Sequence, residues 1–177
     1  MRFEKLEQNI IDMIKEEQAK LGYRKESIRL YYPLSSLVHL TGENLGEQEM
    51  LALLSEFGEE TKEHLGGVTV TAKKDRFCFL IQEEGVVYVK EHTSPNEFIH
   101  DLVNLVGTHG CTMDEIKALF EKQPWPVTVE PMNNEEFDIL IRFGEGADDP
   151  YYYCFKDEGC HIIYHRFLPE DYADFDF

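Results

Sequence analysis

The apolar residues of this chain change their period at Gly66-Gly67. Before that pair they recur every three or four positions, and after it they alternate or run together. One element cannot satisfy both periods, so the chain must join separate helical and extended blocks. Phe3, Leu6, Ile10, Met13, Ile14 and Leu21 line one side of a helix over 3–21, with Glu4, Asp12, Lys15, Glu16 and Lys20 opposite. Gly22 is its natural stop. The stretch 27–32 is β-branched and aromatic and reads as extended. Pro33 suits a helix start, so a short helix over 34–40 follows, ended near Gly42. Met50, Leu53, Leu54, Phe57, Thr61 and Leu65 line one face of a longer helix over 47–65, with Gly58 as an interruption.

After the glycine pair, 68–71, 76–82 and 86–90 read as three strands, with Lys73-Lys74-Asp75 and Glu83-Glu84-Gly85 as turns. The run at 77–81 is apolar on both faces, which suits a central strand covered on both sides. Turns this short make an antiparallel meander. A second helical block then begins. Ser94 is a cap and Pro95 the first helical residue, with Phe98, Leu102, Leu105 and Val106 inward and Gly107 as the end. Thr112-Met113-Asp114-Glu115 matches a capping box, opening a helix that turns Ile116, Leu119 and Phe120 inward. Pro124-Trp125-Pro126 stops it. Four strands follow, at 127–130, 137–143, 151–155 and 160–167.

Helices followed by antiparallel strands, twice over, give an α+β fold. The expected units are 1–92, helices plus a three-stranded meander, and 93–177, a helical pair plus a four-stranded antiparallel region, within one compact body. The first half runs helix, short strand, helix, helix, two-stranded wing. In layout alone this resembles a winged-helix domain.

Charge narrows the function. The 177 residues hold 35 acids against 17 Lys plus Arg, a net charge of −18. Such a surface repels phosphate backbones and anionic lipid, which argues against nucleic-acid and membrane partners. No apolar run approaches the roughly 20 residues of a membrane span. The N-terminal segment is amphipathic and charged, unlike a signal peptide. The expected setting is cytoplasmic, where Cys78, Cys111, Cys154 and Cys160 need form no disulfide framework.

No catalytic spacing stands out. Cys111 lies near His109, and Ser35-Ser36 precede His39, without an elbow or oxyanion framework. Cys154, Cys160, His161 and His165 are zinc-ligand types at poor spacing: on a strand, the two histidines face away from Cys160. Gly144-Glu145-Gly146 lacks the residues of a phosphate loop. No cofactor and no metal is implied, and the reading leans away from an enzyme.

Two segments could make contacts. Tyr23, Arg24, Lys25, Arg29, Tyr31 and Tyr32 concentrate cations and aromatics in an acidic chain, and could bind an anion or a partner's carboxylate. The plainer account is that these cations neutralise the chain's own acids and the tyrosines anchor the first helix. The segment 169–177 alternates acids and aromatics, with Tyr172, Phe175, Asp176 and Phe177 as docking candidates. It is similar in kind to the acidic, Phe-terminated tip of bacterial single-stranded-DNA-binding proteins. The plainer account there is a frayed or self-packed end.

The runs Glu16-Glu17-Gln18-Ala19-Lys20-Leu21-Gly22-Tyr23-Arg24 and Ile28-Arg29-Leu30-Tyr31-Tyr32-Pro33-Leu34 resemble a family of small, acidic, uncharacterised proteins from gut clostridia, a domain of unknown function. The resemblance covers most of the chain. It implies a bacterial cytoplasmic protein and carries over no site. The function expected from the residues is a non-enzymatic, inhibitor- or immunity-like module that binds another protein with a basic surface. The alternative is a small-molecule-binding protein or small enzyme with a pocket between helices and sheet, using Tyr23, Arg24, Arg29, Tyr31 and His39.

Overall fold

The computed structural model describes residues 2–175. The chain divides into two compact units, 1–99 and 100–177. Both combine helices with an antiparallel sheet, so the fold is α+β.

In the first unit, α1 (Glu4–Leu21) carries Glu4 and Glu7 in its first turn and Lys20 in its last, as the helix dipole favours. Leu6, Ile10 and Ile14 are wholly buried, each contributing about 2 kcal/mol. Phe3, just before the helix, packs edge-on against Phe57 with ring centres 5.4 Å apart. Strand β1 (Ile28–Pro33) leads through Pro33 into α2 (Leu34–Thr41). That helix ends at Gly42, whose left-handed backbone (φ 73°) lets its N–H reach Val38 O.

Next come α3 (Glu47–Glu60) and α4 (Lys62–Leu65), which divide at Thr61 and not at Gly58. The Thr61 hydroxyl donates back to Phe57 O at 2.8 Å and so competes with the helical ladder. Gly58 stays helical, and its lack of a side chain serves packing: a Cβ there would stand 3.0 Å from Val68 O.

Strands β2 (Thr69–Lys73) and β3 (Arg76–Ile81) form a hairpin, and β1 pairs with the other edge of β3. The sheet order is β1-β3-β2. Phe77, Phe79 and Ile81 point inward and are buried. Cys78 and Leu80 point outward and are only half-buried. The central strand is therefore covered on one face, not on both.

The expected strand at 86–90 is instead helix α5 (Glu83–His92), and β1 takes its place as the third strand. Val86-Val87-Tyr88-Val89 has strand propensity, but position overrides it. Glu83 and Glu84 sit in the first turn and Lys90 and His92 in the last. Val86 and Val89 share one buried face, and α5 packs on α1 and α4. Helix α6 (Glu97–Val106) spans the division between the units. It starts later than Ser94-Pro95 implies, because Asn96 is the cap: its Oδ1 accepts the Ile99 N–H at 3.0 Å.

In the second unit, α7 (Met113–Glu121) opens with the expected capping box. The Glu115 N–H donates to Thr112 Oγ1, and the Thr112 N–H donates to Glu115 Oε2 at 2.8 Å. Strands β4 (Val127–Pro131), β5 (Ile139–Phe143), β6 (Tyr152–Asp157) and β7 (Ile162–Phe167) form an antiparallel meander in chain order. Phe120 of α7 covers one face, its ring centre 5.1 Å from Phe143 and 5.2 Å from Tyr153. On the other face Phe137, Leu140, Cys154 and Phe167 form a buried cluster. Helix α8 (Pro169–Asp174), not expected from the sequence, lays Tyr172 against that cluster.

Cys154 lies opposite His165, and Cys160 sits in the loop between β6 and β7, so the two cysteines do not face each other. All four cysteines are free thiols. Among the described residues, no helix is long and apolar enough to cross a membrane.

Candidate functional site

The strand period of two sorts the suggestive aromatic–cationic segment into two groups. Leu30 and Tyr32 point into the core, and Tyr32 OH donates to Asn9 Oδ1 at 2.8 Å. That tyrosine anchors the first helix. Arg29 and Tyr31 point the other way and are exposed, Tyr31 by 56%.

Cross-strand register then builds the outer face row by row. Arg29 stands beside Leu80, which stands beside Thr69. Tyr31 stands beside Cys78 and Thr71, and Pro33 beside Arg76 and Lys73. The face thus holds Arg29, Lys73 and Arg76 as cations, with Tyr31 among them. No acid occupies an outward position on the three strands, in a chain whose acids outnumber its bases 35 to 17. The Arg76 guanidinium lies 6.0 Å from the Tyr31 ring centre, within cation–π range.

The hairpin tip carries two local costs. Lys73 and Arg76 are directly opposed, and like charges so placed repel. Lys74 has φ 61°, the left-handed region that a lysine enters only at a steric cost. Outliers of this kind concentrate where function holds them. Lys73, Lys74 and Arg76 were not singled out in the sequence; only the β1–β3 and β2–β3 registers bring them beside Arg29 and Tyr31.

The remaining candidates lie elsewhere. Tyr23 is exposed, with Lys90 Nζ 5.4 Å above its ring. Lys25 pairs with Glu83 at 3.5 Å, which is internal neutralisation of the kind the plainer account describes. Arg24 and Arg29 are exposed and have no ion-pair partner among the described residues. His39 is half-buried on α2 and is not one of the strand residues that form this face.

At the other end of the chain, Tyr172 packs 5.2 Å from Tyr152, and Phe175 packs 5.3 Å from Phe167. Burial pushes the Tyr172 hydroxyl above its ordinary pKa. These two aromatics therefore serve the second unit's own sheet. Asp176 and Phe177 lie outside the described residues. Among the described residues, no group of three or more His, Cys, Asp or Glu side chains could hold a metal ion.

No curated protein and no solved structure matches the chain. One family model matches residues 3–175, and its description reads "Domain of unknown function, E. rectale Gene description". Since that match spans nearly all of the sequence, and the two short runs around Tyr23 and Tyr31 fall inside it, the chain belongs to this family, DUF3877.

Proposed function

We propose that the protein is a non-enzymatic binding module that holds an acidic segment of another protein on the outer face of its first sheet. The observation that carries this reading is the opposed Lys73–Arg76 pair on an acid-free face. Folding alone gains nothing from juxtaposing those two charges, and a partner carboxylate between them would relieve the repulsion. Tyr31 supplies the amphipathic anchor that such contacts use, and Cys78 and Leu80 supply a half-buried apolar floor.

A partner with a basic surface is the rival form of the binding module. It rests on the chain's acidic face and C-terminal aromatics, and of the latter Tyr172 and Phe175 are engaged by the chain's own Tyr152 and Phe167. Nucleic acid fits poorly as the anion. Glu47, Glu49, Glu56, Glu59 and Glu60 are exposed on α3 and the chain as a whole carries −18, which opposes a polyanion with a charge at every phosphate far more than a segment with a few carboxylates.

The test is affinity capture from source-cell lysate, with and without nuclease treatment and at low and high salt, comparing the wild type with Arg29→Glu/Arg76→Glu. The expected result is an acidic protein held by the wild type at low salt, released at high salt and not held by the double variant. Equal capture of the same proteins by both forms would refute the reading. Capture lost upon nuclease treatment would replace the protein partner with nucleic acid.

A further inference from the structure

On the same unit, apart from the sheet face, α4 and α5 enclose an open cleft of about 350 Å³. Its walls are set by a very close backbone approach. A Cβ on Gly85 would stand 2.2 Å from Leu65 O, so only glycine lets the two helices meet. Inside it three rings stack in a ladder. His64 lies 5.2 Å from Tyr88 with planes 21° apart, and His92 lies 4.5 Å from Tyr88 with planes 13° apart.

Both imidazoles are oriented through the same nitrogen. His64 Nδ1 is 2.8 Å from the carboxylate of Glu7, itself buried, and His92 Nδ1 is 3.3 Å from the Tyr88 carbonyl. A carboxylate or carbonyl can only accept, so Nδ1 carries the proton in each ring. When the rings are neutral, each Nε2 is then left as an acceptor. Among the described residues no group of three or more His, Cys, Asp or Glu could hold a metal ion, so the pair is not a metal site.

The rest of the lining is also biased toward acceptors. Four glutamates line the cleft against two lysines, Lys25 and Lys62; Glu63, Glu84 and Glu91 have no ion-pair partner among the described residues, while Lys25 is already paired with Glu83. Carboxylates alone would be a solvated face. Here they border a concave site with a flat, fixed aromatic ladder.

We propose that this cleft binds a guanidinium group. A guanidinium is planar, carries five donors and no acceptor, stacks on ring faces and pairs with carboxylates two bonds at a time. An alkylammonium shares the charge but cannot stack, and an anion would meet the glutamates. The group could arrive on a free metabolite or on an arginine side chain of another protein. The recognition chemistry is the same for both.

The experiment titrates the full chain with agmatine, with an arginine-containing tripeptide amide, and with butylamine, reading the ring proton resonances of His64 and His92 by NMR. The expected result is saturable shifts of both histidines with the guanidinium probes, at least about tenfold weaker with butylamine. Glu84→Gln/Glu91→Gln should weaken agmatine binding about tenfold or more, as expected for losing charge-assisted hydrogen bonds. Its urea midpoint should stay near the wild-type value, since both side chains are exposed and the favourable dipole contribution lost at Glu84 in the first turn is offset by relief of the unfavourable one at Glu91 in the last. Tighter agmatine binding identifies a free ligand, and tighter peptide binding a partner chain; either supports the site. No saturable shift, equal response to butylamine, or undiminished binding in the double variant would overturn the proposal.

Discussion

Gly85→Ala is the sharpest test of how the first unit is held together. In an ordinary helix this change stabilises, because alanine has a better helix propensity by about 1 kcal/mol. Here the added Cβ would stand 2.2 Å from Leu65 O, 2.7 Å from Leu65 C and 2.9 Å from Ile81 Cγ2. An ordinary contact needs about 3.5 Å, so α4 and α5 must part by roughly 1 Å. A gap of that size removes about a quarter to a half of the dispersion attraction across the seam. Leu65 and Val86, both wholly buried beside it, bear the loss.

The clash is with backbone atoms, which yield least, so the overpacking cost lies at the upper end, about 2–3 kcal/mol, and subtracting the propensity gain of about 1 kcal/mol leaves a net loss of about 1–2 kcal/mol. For a chain of this size that lowers Tm by roughly 2–8 °C. Urea and thermal unfolding followed by circular dichroism measure it directly. The same parting would widen the cleft, so agmatine binding should weaken in the variant while its folded spectrum persists. A Gly85→Ala protein with a urea midpoint equal to or above the wild type would refute the close approach, and with it the geometry on which the cleft depends.

Three further outcomes follow from local structure. Lys74→Gly removes a side chain from the left-handed region and should raise the urea midpoint, by about 1 kcal/mol in unfolding free energy; no gain would mean Lys74 is unstrained. Burial pushes the Cys154 thiol up to about 12, whereas Cys160 is exposed, so iodoacetamide at pH 8 should label native Cys160 first and Cys154 only on unfolding. Equal native rates, read by mass spectrometry, would contradict that burial. The Asp157 N–H, aided by Lys156, holds the Asp138 carboxylate below its ordinary 3.8. A lowered folded value stabilises the fold above the unfolded value and is lost as pH falls below about 3.8 through the folded one. Asp138→Asn should therefore flatten this acid limb in urea midpoints measured from pH 5 to 2.5, and an unchanged slope would rule the contribution out.

What could be read from the sequence was what neighbours in the chain decide. The capping box at Thr112 and the stop at Gly42 act over three or four residues, and the structure has both. The β4–β7 meander pairs adjacent segments, so period and turn residues were enough. What failed was decided at long range. Val86-Val87-Tyr88-Val89 has strand propensity, and it becomes helical because Gly85 lets α5 settle against Leu65. That choice frees an edge of β3, which β1 occupies from far earlier in the chain. Helix α8 had a local signal, Pro169 at its first position with Glu170 and Asp171 behind it, which the alternation of acids and aromatics obscured.

The candidate sites divide along the same line. Arg29 and Tyr31 stood out by composition, and strand alternation alone separates exposed Tyr31 from buried Tyr32. Lys73 and Arg76 join them only through the register of a hairpin. The ring ladder was hidden by the misread segment itself. On a strand Tyr88 and His92 would stand four residues apart, about 13 Å, with their rings out of reach. On α5 they are one turn apart and stack at 4.5 Å, and His64 completes the ladder only because α4 packs on that same helix. The cleft and the α5 assignment therefore stand or fall together. A Gly85 variant that straightens α5 away from α4 should remove the ring-current signature of His64 before it removes that of His92, whose partner Tyr88 lies on its own helix.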